Sequence, residues 1–155
     1  MDDKEYILKG ITDKLRRKYD YIILDCPPSL NMLTINALTA ATSVLVPIQC
    51  EYYALEGLSQ LIHTIDLVKD RLNKKLAMEG VVFTMYDART NLSLQVVENV
   101  KDNLQQNIYK TIIPRNVRLA EAPSYGQPIN IYDSRSAGAE AYRLLAEEVI
   151  NREDK

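Results

Sequence analysis

Four short stretches of this 155-residue chain place reactive side chains directly after apolar runs. Asp25-Cys26-Pro27-Pro28-Ser29 follows Tyr21-Ile22-Ile23-Leu24, and Gln49-Cys50-Glu51 follows a run ending at Ile48. Tyr86-Asp87-Ala88-Arg89 and Pro114-Arg115-Asn116 follow runs ending at Met85 and Ile113. A carboxylate that ends a buried strand, as Asp25 would, can hold a hydrated magnesium ion beside phosphates. The plainer alternative is an aspartate that starts a turn before proline. Pro27 and Pro28 have no amide hydrogen, so Ser29 supplies the first backbone donor of a stiff segment able to sense a terminal phosphate. Ser29 can equally be an ordinary N-cap of the next helix.

Other chemistry is excluded by scarcity. His63 is the only histidine, so a Ser-His-Asp triad would have to be built around it, and clustered Cys/His zinc sites lack ligands. Its apolar helical surroundings favour a helix-surface or packing role. The glycines at 10, 57, 80, 126 and 138 have neither P-loop nor GxGxxG spacing, so these residues contain no Gly-rich phosphate cradle.

The elements that would carry these residues alternate. Tyr6, Ile7, Ile11 and Leu15 mark an amphipathic helix over 3–18, and Tyr21–Leu24 reads as a fully buried parallel strand. A helix over about 31–41 leads to a strand over 42–48, stopped near Pro47. A long helix then carries Leu55, Leu58, Ile62, Ile65 and Leu72. Strands over about 78–85 and 108–113 flank a helix over 92–105, and a closing helix begins near Ser136. Strands separated by helices imply right-handed crossovers, hence an α/β fold with a parallel sheet and helices on both faces. In such sheets ligands bind outside the carboxyl ends of the strands, where the four reactive stretches fall. Residues 114–135, with Pro114, Pro123, Gly126 and Pro128, form a connection longer than the roughly 2–6 residues usual in such units, as functional loops often are.

Composition permits this architecture. With 46% hydrophobic and 26% charged residues the chain falls within the range of a single soluble domain. A formal charge of -2 gives no global positive field, so any contact with nucleic acid must be local. Cys26 and Cys50, without a signal peptide, suggest free thiols in a reducing cytoplasm. No apolar run approaches the roughly 20 residues needed to cross a bilayer.

Four ordered blocks resemble the ParA/Soj family of chromosome- and plasmid-partition ATPases: YDYIILDCPPSLNMLTINAL (19–38), VPIQCEYYALEGLSQL (46–61), TMYDARTNLSLQVVENV (84–100) and PRNVRLAEAPSYGQPINIYDSRSAGAEAYRLLAEE (114–148). The resemblance implies an incomplete P-loop NTPase-like fold. It also implies a full-length protein that binds ATP and magnesium, forms a homodimer, binds DNA nonspecifically on the nucleoid, and is stimulated to hydrolyse ATP by a ParB-type partner. The chain is expected to be a single domain, residues 1–155, from the later part of such an ATPase. Because the deviant Walker A loop is absent from it, the chain alone is expected to be inactive. Losing the leading strand should also leave an exposed sheet edge that favours self-association.

Residue by residue, the resemblance makes Asp25 the Walker B acid, holding magnesium through water, with Pro27, Pro28 and Ser29 its switch. Thr84 and Met85 correspond to the strand end that borders adenine, the alternative being strand-end packing. Pro114, Arg115 and Asn116 correspond to the loop that closes over the base, where an amide such as Asn116 can donate and accept. Arg89 and Arg118 correspond to DNA-contacting positions, with Arg115 and Arg135 extending the patch; otherwise they are solvated surface arginines. Gln49, Glu51, Tyr52 and Tyr53 fall near the nucleotide and dimer face, although both tyrosines would also suit packing beneath the next helix. A MinD-like membrane-attaching relative fits less well, because EEVINREDK lacks a basic amphipathic pattern. The iron–sulfur branch lacks its CxxC pair here. A nucleotide-free interaction or regulatory domain remains the other alternative.

Overall fold

The computed structural model describes residues 3–27, 29–104 and 107–153. Its helices are α1 (Ile7–Leu15), α2 (Met32–Ala40), α3 (Ala54–Arg71), α4 (Asn91–Asn103), α5 (Val117–Glu121), α6 (Ile129–Tyr132) and α7 (Ala137–Glu153). Its strands are β1 (Ser43–Gln49), β2 (Ala77–Tyr86) and β3 (Ile108–Pro114), ordered β1-β2-β3 in one sheet. Ala77 N–H donates to Thr42 O, and Cys50 N–H to Thr84 O, so β1 and β2 run the same way. β2 and β3 are parallel, with Val81 opposite Ile108 and Tyr86 opposite Pro114. The α/β class and parallel sheet follow the sequence expectation. Gln105, the expected end of the fourth helix, lies outside the described residues.

The chain divides into two compact units, residues 1–44 with 56–79, and residues 45–55 with 80–155. In the first, α2 is apolar along most of its length and buries residues from Thr34 through Ala40 except Ile35. Its ends are closed by asparagines. Asn31 Oδ1 accepts from the N–H groups of Leu33 and Thr34, and Asn73 Nδ2 donates to the carbonyls of Leu38 and Ala41. These contacts satisfy groups that a helix leaves open at its termini. Asn36, 8% exposed, ties α1 to α2 by accepting from Leu8 N–H and donating to Lys4 O.

One strand expectation is corrected. Residues 21–27 form no helix or strand, the sheet order includes no member from them, and Ile23 is 89% exposed. An apolar run becomes a buried strand only where neighbouring strands take up its backbone donors and acceptors. The three strands of this sheet do not flank it. The first helix is also shorter than expected: a single 3-10 turn over Lys4–Tyr6 precedes α1, which ends at Leu15.

In the second unit Val81, Val82 and Phe83 are at most 1% exposed. Val82 packs with Tyr109, Ile113, Ala141 and Leu145, and Leu119 and Val149 complete this core between the sheet and α7. α7 is also hydrogen-bonded to the outer edge of β3. Glu148 accepts from the backbone N–H groups of Lys110 and Thr111 and from the Thr111 hydroxyl, while Arg152 donates to Glu148 and to Ile108 O. A carboxylate thus closes an edge that would otherwise offer donors to another chain. Burial alone would raise the Glu148 pKa, but the two backbone donors, the Thr111 hydroxyl and Arg152 outweigh it and lower it.

Glu148→Ala is expected to lower the unfolding free energy by about 2 kcal/mol, because it strands those donors. Urea unfolding at neutral pH measures this. A carboxyl whose folded pKa is depressed stabilises above its unfolded pKa, and this contribution is lost as pH falls through the folded value. Wild type and variant should therefore converge in acid.

Candidate functional site

The carboxyl ends of the three strands are held in register within the second unit. Cys50 N–H donates to Thr84 O at 2.9 Å, Thr84 Oγ1 to Ile48 O at 3.3 Å, and Arg115 N–H to Tyr86 O at 2.8 Å. Two features at these ends carry a cost that packing alone does not explain. Met85 has φ 54°, the left-handed region that non-glycine residues rarely adopt, at a cost on the order of 1–3 kcal/mol. Asn116, at the N-cap position of α5, makes no side-chain cap bond, and its Oδ1 is buried without a hydrogen-bond partner. An orphaned buried acceptor costs about 1–3 kcal/mol. Thr84, Met85, Pro114, Arg115 and Asn116 are brought together here by the β2–β3 pairing.

Asp25, Pro27 and Ser29 lie in the first unit, and Pro28 lies outside the described residues. Asp25 is exposed at the rim of a largely apolar groove of about 660 Å³ formed by Ile7, Ile11, Ile23, Leu24 and Met32 among others. The Ser29 carbonyl accepts from Thr34 Oγ1 at 2.6 Å, and its hydroxyl accepts from Asn31 Nδ2 at 2.9 Å. Asn31 rather than Ser29 is therefore the N-cap of α2, and Ser29 is tied to that helix start from outside it. Among the described residues no three His, Cys, Asp or Glu side chains cluster as a metal cage. Magnesium keeps several waters and takes further ligands from phosphates, so a magnesium site would ask for only one or two carboxylates of the protein.

Neither thiol is activated. Partial burial, then the Asp25 charge, raise the Cys26 pKa, while burial followed by Glu51 pushes Cys50 up to about 11. Both cysteines are free. His63 is exposed on α3, as a helix-surface histidine. Tyr52 and Tyr53 are 77% and 75% exposed in an edge-to-face pair, which corrects the alternative of packing beneath the next helix.

Both arginines expected to meet DNA have carboxylate partners. Arg89 donates from Nε to Asp87 Oδ1 at 2.9 Å and from Nη2 to Asp87 Oδ2 at 2.7 Å. These bonds, a third from Arg89 N–H, and the charges of Arg89 and Arg115 lower the Asp87 pKa to about 2. Arg118 Nη1 meets Glu121 at 2.9 Å and its Nε lies 3.4 Å from Asp133. Tyr132 donates its hydroxyl to the same Glu121 oxygen and stacks on Tyr125. The Arg118–Glu121 spacing of three on a helix is a signal readable in sequence. Asp133, fifteen residues away, carries no such signal.

A family model described as an AAA domain matches residues 1–78. The chain is 61% identical over 146 residues to the sporulation initiation inhibitor protein Soj of Bacillus subtilis, covering 94% of the chain and 58% of that protein. It is 55% identical over 152 residues to the chromosome partitioning protein ParA of Myxococcus xanthus, covering 98% of the chain and 54% of ParA. Among solved structures, cobyrinic acid a,c-diamide synthase of Mycobacterium smegmatis, with bound ADP and magnesium, aligns at TM-score 0.83 and 35% identity. That alignment covers 100% of the chain and 56% of the synthase. The chain thus spans a little over half the length of the relatives it matches. Among the described residues no helix is long and apolar enough to cross a membrane.

Proposed function

Because the chain belongs to the AAA-domain family and to its Soj/ParA chromosome-partitioning branch, we propose that it is the later part of an ATP-driven partition protein. In full length that protein binds ATP with magnesium, forms a homodimer, binds DNA nonspecifically, and hydrolyses ATP under stimulation by a ParB-type partner. The observation that carries this reading is the orphaned Asn116 Oδ1 beside the left-handed Met85, at the strand ends where α/β sheets bind nucleotides.

In this reading Asn116 accepts from the adenine amine, Thr84 and Met85 border the ring, and Pro114 and Arg115 form the loop over it. Asp25 holds a water of the hydrated magnesium ion, and Pro27, Pro28 and Ser29 form a stiff segment that senses the terminal phosphate. Magnesium, when bound, neutralises charge on the phosphates during transfer. Arg89 and Arg118 contact DNA phosphates, each weakly, so that two copies of the patch are needed. These 155 residues carry no Gly-rich phosphate loop, and the isolated chain is expected to hydrolyse no ATP.

Phosphate release by the full-length protein, measured with DNA and a ParB-type partner, tests the proposal. Magnesium-dependent turnover that rises when both are added is expected. Turnover that ignores both, or is equally present in the isolated chain, would contradict it.

A further inference from the structure

We propose that Asp87, and Glu121 together with Asp133, compete within the molecule for the guanidinium groups of Arg89 and Arg118, so that DNA phosphate must displace a carboxylate to be bound. The inference rests on the DNA reading and adds a control element to it. Asp87 occupies the Nε–Nη2 edge of Arg89 with two parallel bonds, the same side-on fork that a phosphate takes. The two partners are not equally free to move. The Asp87 side chain is 15% exposed, its backbone N–H donates to Ser93 Oγ, and its carbonyl accepts from Thr90. Arg89 is 86% exposed on a long side chain, so in this proposal it is the member that swings between carboxylate and phosphate.

At Arg118 the hold is double. Glu121 and Asp133 take Nη1 and Nε, and Glu121 is itself fixed by the Tyr132 hydroxyl. Asp87 offsets the charge of Arg89, and Glu121 with Asp133 offsets that of Arg118, so neither guanidinium presents its full positive charge to a phosphate at rest. An exposed ion pair is weak enough to be exchanged when a polyanion arrives. A single phosphate thus competes with a carboxylate already in place, whereas several presented together, as along a duplex, displace it more readily.

The test measures duplex DNA affinity of the full-length protein with magnesium and ATP, at fixed salt. Asp87→Asn and Glu121→Gln keep shape and remove one negative charge each, and each is expected to tighten binding about fivefold. The gain from Asp87→Asn should vanish in an Arg89→Ala background, because the competitor then has nothing to release. Glu98→Gln, an exposed carboxylate on α4, should change little. If Arg89→Ala and Arg118→Ala leave affinity unchanged, the DNA reading itself fails. If those two weaken binding while Asp87→Asn and Glu121→Gln do not tighten it, the DNA reading stands and the competition is overturned. Tightening that persists without Arg89 is a general charge effect and also overturns it for Asp87. Should Asp87→Asn fail to fold, Glu121→Gln, with Arg118→Ala as its background, decides the question.

Discussion

Asp25→Ala in the full-length protein is expected to reduce magnesium-dependent ATP hydrolysis about 100-fold or more, with little change in thermal stability. The size of the effect follows from what the carboxylate does in the proposed mechanism. Phosphoryl transfer demands little covalent chemistry from the protein, so positioning and charge stabilisation supply nearly all of the rate, and losing one preorganised electrostatic group costs about 10²–10³. Asp25 is exposed at the rim of its groove, so trimming it empties no core position. Asp25→Asn separates charge from shape: it should fail nearly as badly, since an amide holds a hydrated cation poorly. Phosphate release and a melting curve on the same preparations measure both parts. Loss of hydrolysis accompanied by unfolding would mean that Asp25 is a structural turn residue, the plainer alternative for its place after an apolar run.

Reversing both arginines, Arg89→Glu with Arg118→Glu, is expected to weaken DNA binding by about two orders of magnitude at low salt and to flatten its salt dependence. Every phosphate that a cation no longer neutralises takes close to one unit off the slope of log affinity against log salt. The reversal also adds two acidic groups beside Asp87, Glu121 and Asp133, so the patch becomes strongly repulsive instead of nearly balanced. A chain with a formal charge of -2 has no diffuse positive field to compensate. Anisotropy of a labelled duplex across a salt series checks it. Unchanged affinity would return both arginines to the class of solvated surface residues.

Most of the scaffold was readable because apolar runs and their stops are local. β2, β3, α3 and α7 lie within a few residues of where hydrophobic periodicity placed them. β1, over 43–49, lies within one residue of the expected 42–48 and contains Pro47, since an edge position in the sheet order tolerates a missing ladder donor. The run Tyr21–Leu24 misled for the converse reason. Its composition states that it is to be buried, but not by what, and strand pairing is a property of neighbours. The connection over 114–135 is long as expected yet not irregular. It holds α5, a 3-10 turn over Ala122–Tyr125 ended by left-handed Gly126 at φ 62°, and α6.

The candidate site divides in the same way. Pro114, Arg115 and Asn116 could be singled out because they come at the end of an apolar run, while Thr84 and Met85 were marked by the family resemblance alone; parallel pairing brings the strand ends together. The left-handed backbone of Met85 could not be read from a methionine, since no residue type announces that conformation except glycine and, weakly, asparagine. The missing partner of Asn116 Oδ1 is likewise a fact about surroundings. Asp87 and Glu121 lie two and three residues from the arginines they hold, a spacing legible in sequence, whereas Asp133 reaches Arg118 only after the connection folds back on itself.

Control of DNA binding by nucleotide at the strand ends is tested most directly by measuring duplex affinity of the full-length protein with magnesium plus ATP, with ADP, and without nucleotide. Binding that is strong with ATP, at least tenfold weaker in the other two conditions, and reduced in all three by increasing salt is the predicted result. Equal affinity in all three conditions would contradict that control and favour an interaction domain that keeps this fold without responding to nucleotide.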